Sequence, residues 1–91
     1  MVSFQHNAII IYTKTQRVSA ELTYFLLPSH NWLLEQIFAS SETNRRKYQK
    51  ILIQEFFERI PQRLHCVRIL DPFAKSYLHK HPEYQKYLHE I

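Results

Sequence analysis

The residues best placed to do chemistry stand in a row at Asn44-Arg45-Arg46-Lys47, with Lys50 one turn further on. They open a helical pattern. A helix N-terminus already carries partial positive charge, so acids are its usual first-turn occupants. Three consecutive cations there oppose helix electrostatics, at about a few tenths of a kcal/mol each, and Glu42 is the acid nearby to offset them. Such an arrangement makes sense where an anion docks, since orphan N–H groups and guanidinium forks together hold a phosphate or a carboxylate cluster. The competing reading is a solvated helix end, because Lys47 and Lys50 share a polar face with Gln54 and Glu58. Arg45 projects nearer the apolar side.

Other constellations are weaker. His79, His81 and His89, with His65 and Cys66 upstream, raise a metal question. Histidines at i, i+2 diverge by about 200° on a helix and share a metal only from extended chain. Cys66 and His65 are neighbours, so in a strand they face opposite ways; Cys66 reads as a small core residue rather than a nucleophile. The acids are scattered, and Asp71 is better explained as a helix cap. No catalytic set, metal site or cofactor is therefore expected. Tyr77, Tyr84, Tyr87, Leu88 and Ile91 form an aromatic C-terminal surface of a type enriched at protein interfaces.

Composition narrows the classes. The 91 residues contain no glycine, which excludes a glycine-rich phosphate or dinucleotide loop and leaves turns to Asn7, Asn31, Asn44, Asp71, Ser/Thr and four prolines. Twelve Lys/Arg against eight Asp/Glu give a net charge of +4, which suits a polyanion, an acidic protein surface or plain solubility. Hydrophobic residues make up 45% and aromatics 14%, enough for one dense core, and a single domain over 1–91 is expected. One cysteine rules out an intrachain disulfide and fits a reducing compartment. With no window approaching a membrane span and no signal-peptide pattern at the N-terminus, a cytoplasmic protein is expected.

These features hang on one central element. Ser41–Ile60 keeps a helical beat through Tyr48, Leu52, Phe56 and Ile60, widened by Ile53, Phe57 and Ile51. Ser41 or Thr43 supplies the N-cap and Pro61 ends the helix. Its broad apolar stripe predicts a helix packed between other elements. Val2–Thr13 reads as one strand. Arg17–Leu27 alternates as a second strand, although a helical stripe also fits. Ser29–Ala39 reads as a short helix with Trp32, Leu33, Ile37 and Phe38 on its buried face. Leu64–Leu70 reads as a third strand. Asp71-Pro72 starts a helix with Phe73, Tyr77 and Leu78 inside, and His81-Pro82 separates it from a last short helix.

The expected fold is α+β: a small antiparallel or mixed sheet of about three strands, helices on one face, in the order β-β-α-α-β-α-α. If Arg17–Leu27 were helical, the chain would be mostly α with a two-stranded ribbon. No motif carries a resemblance to a known family. The expected function is a non-enzymatic binding or regulatory protein that docks an acidic protein surface, or a second copy of itself. Arg45, Arg46, Lys47 and Lys50 are its expected binding residues, with Tyr84 and Tyr87 contributing. The alternative is a nucleic-acid binder using the same cations on phosphates. A helix-turn-helix is disfavoured because apolar residues from Tyr48 onward leave few positions to read bases. No small-molecule substrate and no membrane association are expected.

Overall fold

The computed structural model describes residues 2–28, 31–40, 44–60 and 67–87, excepting the side chains of 85–87. The elements are β1 (Val2–Gln5), β2 (Ala8–Tyr12), β3 (Val18–Leu26), β4 (Trp32–Ala39), α1 (Arg45–Arg59), β5 (Val67–Ile69), α2 (Pro72–His79) and a 3₁₀ helix (Pro82–Tyr87). The five strands form one sheet in sequence order, antiparallel from β1 to β4 and parallel between β4 and β5. The chain is α+β, but the expectation of about three strands is wrong, and so is the mostly α alternative.

Two local features account for the extra strands. Val2–Thr13 is a hairpin rather than one strand, with Gln5 paired to Ala8 across His6-Asn7. Asn7 sits at φ 64, a left-handed conformation that asparagine tolerates better than most residues. Its carbonyl also accepts from the Tyr24 N–H at 3.0 Å, which ties the turn to β3. The second glycine-free turn places Gln16 at φ 66, and the Thr13 hydroxyl accepts from the Thr15 and Arg17 N–H groups.

The other feature lies in the segment expected to be a helix, Ser29–Ala39, whose residues 32–39 form β4; Ser29 lies outside the described residues. Tyr24 pairs with Leu34 and Thr23 with Gln36, so Glu35 is an extra residue on β4, a β-bulge. The bulge turns both Leu34 and Ile37 toward the core although they are three residues apart. That spacing imitates a helical turn. With Trp32–Ala39 extended, a helix-turn-helix has no first helix.

Helix α1 lies across β2, β3 and β4. Leu52, Ile53 and Phe56 are fully buried against Ile9, Ala20, Leu22 and Leu34, each burial contributing about 1.5–3 kcal/mol. Phe56 meets Tyr24 edge-on at 5.5 Å and Phe57 at 5.1 Å, and Phe57 stacks on Tyr84 of the 3₁₀ helix at 4.9 Å. The helix is thus covered on a second side, as its broad stripe predicts. It begins at Arg45 with Asn44 at the N-cap position; Ser41, Thr43 and Pro61, the expected cap and stop, lie outside the described residues. On the opposite face of the sheet Phe25 and Phe38 are exposed.

Strand β5 pairs with β4 only from Trp32 to Leu34, and β4 runs on to Ala39. Asp71 takes over where β5 ends. One carboxylate oxygen accepts from the Ile37 N–H of β4 at 3.0 Å, and the other accepts from Ala74 N–H at 2.9 Å as the N-cap of α2, with Pro72 in the first turn. The Asp-Pro start read from sequence is therefore also a clamp between sheet and helix.

Tyr24 sits in this core, and burial raises its phenol above the ordinary value. A raised folded pKa means the fold holds the proton more tightly than the unfolded chain does. That contribution is fully present below about pH 10 and is lost as pH climbs through the folded value. Between about pH 9 and about pH 11, urea midpoints of the wild type should fall faster than those of Tyr24→Phe. Parallel curves would exclude this linkage.

Candidate functional site

The first turns of α1 and the length of α2 enclose a groove of about 580 Å³, within the range of small-molecule sites. Arg45, Arg46, Gln49 and Lys50 form the α1 side. Phe73, Ser76 and Tyr77 form the α2 side, with Lys80 and His81 at its C-terminal end.

The cationic rim follows from the helix start that the sequence marks. Arg45, Arg46, Lys47 and Lys50 are all exposed, and among the described residues no acid pairs with any of them. The first intrahelical bond described at this end runs from Tyr48 N–H to the Asn44 carbonyl at 3.0 Å, and among the described residues no partner is seen for the Arg45, Arg46 and Lys47 N–H groups, the orphan donors of a helix start. Two guanidinium side chains and the Lys50 ammonium thus line the groove at the start of α1, a setting that suits a polyphosphate.

The α2 wall is aromatic. Tyr77 is buried, stacks on Phe73 at 6.1 Å and lies 3.9 Å from the His81 ring at an interplanar angle of 16°. The His81 Nδ1 is 2.7 Å from the Tyr77 carbonyl. A carbonyl only accepts, so Nδ1 carries the proton, and in the neutral ring Nε2 keeps its lone pair. The Tyr77 hydroxyl accepts a long 3.5 Å bond from Gln54 Nε2, which links the wall back to α1.

Of the expected binding residues, Arg45, Arg46 and Lys50 come together in this groove, whereas Lys47 is not part of its lining. Tyr84 is half-buried under Phe57 and 6.4 Å from Tyr77, packed into the fold. The Tyr87 side chain lies outside the described residues, as do His65, Cys66 and His89. Gln49, Ser76, Lys80 and His81 were not expected in a site. One of them carries a legible signal: Gln49, Leu52, Ile53 and Phe56 run i, i+3, i+4, i+7, which places a polar amide on the buried stripe.

The fold has a solved counterpart. The solution structure of a Staphylococcus aureus protein, described as a "GCN5-like putative N-acetyltransferase", matches with a TM-score of 0.68 and 19% identity, covering 100% of this chain and 89% of that one. No family model and no curated protein matches the sequence. At that identity the likeness is one of fold. It nevertheless counts against the expectation of a non-enzymatic binding or regulatory protein, because the protein that shares this fold over the full chain is described as a putative N-acetyltransferase. The nucleic-acid alternative and the protein-docking partner fall with it. So does the expectation of no small-molecule substrate. Among the described residues, no helix is long and apolar enough to cross a membrane.

Proposed function

We propose that this chain is an acyltransferase that binds an acyl-CoA thioester in the groove between α1 and α2 and passes the acyl group to an amine. The observation that carries the reading is one groove offering cations at a helix start and an aromatic wall side by side. Acyl-CoA needs both: its phosphates require positive charge, and its long arm requires an apolar channel with a few polar contacts. With no glycine anywhere in the chain, the phosphates rest on the side chains of Arg45, Arg46 and Lys50, helped by Lys80, rather than on a glycine loop. The full-length likeness to the acetyltransferase-like structure supports the same substrate class.

The reaction needs little covalent help from the protein. An amine nitrogen attacks the thioester carbonyl, the carbon–sulfur bond breaks, and the nitrogen gives up a proton as CoA leaves as its thiol. His81 Nε2 is the base in reach of the groove, held in its tautomer by the Tyr77 carbonyl. Arg45, Arg46 and Lys50 orient the donor. Residues 1–91 act as one domain, a reading supported by the single continuous core. A cytoplasmic setting, with its acyl-CoA pool and reduced thiols, suits the lone Cys66.

The test is release of free CoA thiol from acetyl-CoA in the presence of a panel of polyamines, amino acids and lysine peptides. Amine-dependent thiol release that His81→Ala lowers by about 100-fold, with acetyl-CoA affinity kept, supports the reading. Release no faster than without protein, across the panel, excludes the catalytic part of it.

A further inference from the structure

Among the described residues, one polar group of the groove is left unanswered by the fold. Gln49 is only 8% exposed, and its Oε1 is buried with no hydrogen-bond partner among the described residues. A buried acceptor without a donor is rare in native proteins and costs about 1–3 kcal/mol. Gln49 also lines the groove, one helical turn past Arg45, so its side chain borders the space between the helices, with Oε1 itself covered in the free protein.

We infer that the Gln49 side-chain carbonyl is a substrate-reading group that, once its amide turns about the last side-chain torsion to bring Oε1 to the groove, accepts a hydrogen bond from the pantetheine arm of the acyl donor. The inference rests on the acyl-CoA reading of this groove and deepens it. Its geometry is set by α1. Four residues of helix separate Gln49 from Arg45, about 6 Å along the axis. A ligand whose anionic end sits at Arg45 and Arg46 must therefore present an N–H or O–H donor about that far along its length. In CoA the diphosphate is followed by a carbon bearing two methyl groups, then a hydroxyl, then the first amide N–H, which brings two donors into that reach. The methyl groups and the arm beyond them suit Phe73 and Tyr77 on the facing wall. Inorganic anions have no such donor, so Gln49 separates a CoA thioester from a simple polyphosphate.

Gln49 acts by binding and has no part in proton transfer. Removing it should trade affinity for stability, because an apolar side chain abolishes the unanswered acceptor while depriving the ligand of its partner. Calorimetric titration of Gln49→Leu with acetyl-CoA and with S-acetyl-4′-phosphopantetheine should show affinity about 10-fold below wild type. ADP should bind both proteins alike, and the thermal midpoint should hold or rise. Gln49→Met, closer in shape, serves the same comparison where the branched side chain folds poorly.

Unchanged acetyl-CoA affinity in a folded variant overturns the inference while leaving the acyl-CoA reading intact. An equal loss for ADP also overturns it, since that places the contact on the nucleotide half. A lower thermal midpoint with unchanged affinity shows a structural amide instead. If wild-type protein binds no acetyl-CoA, the reading of the groove and this inference fall together.

Discussion

Replacing Arg45, Arg46 and Lys50 together with alanine is expected to weaken acetyl-CoA binding about 100-fold while leaving the fold intact. The magnitude comes from charge-assisted contacts. Each is worth about 1.5–3 kcal/mol when buried, and these side chains are exposed, so about 1 kcal/mol each is the fitting value. Three such losses make about 3 kcal/mol, or about two decades in affinity. Stability should not suffer, because among the described residues none of the three makes an ion pair. Removing cations from the positive end of a helix dipole even relieves a small repulsion. Calorimetry at two salt concentrations checks the prediction, and the triple variant should also lose most of the salt dependence. Equal affinity would place the phosphates elsewhere.

Asp71→Ala is expected to produce the largest loss of stability among single changes outside the apolar core. The wild-type carboxylate is buried, caps α2 through Ala74 and satisfies the Ile37 N–H of β4. Losing the cap costs about 1 kcal/mol, and leaving the Ile37 N–H unpaired in a buried setting adds about 1–3 kcal/mol. A total of about 2–4 kcal/mol lowers the thermal midpoint of a domain this size by about 10–25 °C. Asp71→Asn should fall between, because the amide keeps one acceptor oxygen. Circular dichroism melts of the two variants read this directly. A midpoint for Asp71→Ala close to wild type would mean the clamp carries little weight. Since α2 brings Tyr77 and His81 to the groove, the alanine variant should also bind acetyl-CoA weakly at temperatures where it is still folded.

Much of this was legible in the residues, and what was not had specific causes. The apolar beat of α1 is long enough to dominate any local ambiguity, and Asp71-Pro72 is a start signal with a mechanism of its own. Alternation along Val18–Leu26 resolved correctly as strand. Trp32–Ala39 misled because the Glu35 bulge brings Leu34 and Ile37 to one face, and spacing alone does not separate that from a helical turn. The β1–β2 hairpin was missed because its turn depends on Asn7 without a following glycine, the weaker form of the signal.

The site was half legible for a similar reason. Charge placement against the helix dipole is a local property, and it singled out Arg45, Arg46, Lys47 and Lys50, of which Lys47 does not line the groove. The opposing wall is a tertiary property. Nothing in the spacing of Phe73, Tyr77 and His81 says that α2 faces the start of α1 rather than solvent. Reading the cations without that wall left a charged tip for a macromolecule. With it, they border a groove sized for a small molecule.

The most direct measurement is a chemical-shift titration of nitrogen-15-labelled protein with acetyl-CoA. Saturable shifts should concentrate on the backbone amides of Arg45–Lys50 and of Phe73–His81, with the exposed face around Phe25 and Phe38 unmoved. An absence of shifts at millimolar acetyl-CoA, or shifts confined to that exposed face, would contradict the assignment of this groove to an acyl-CoA donor.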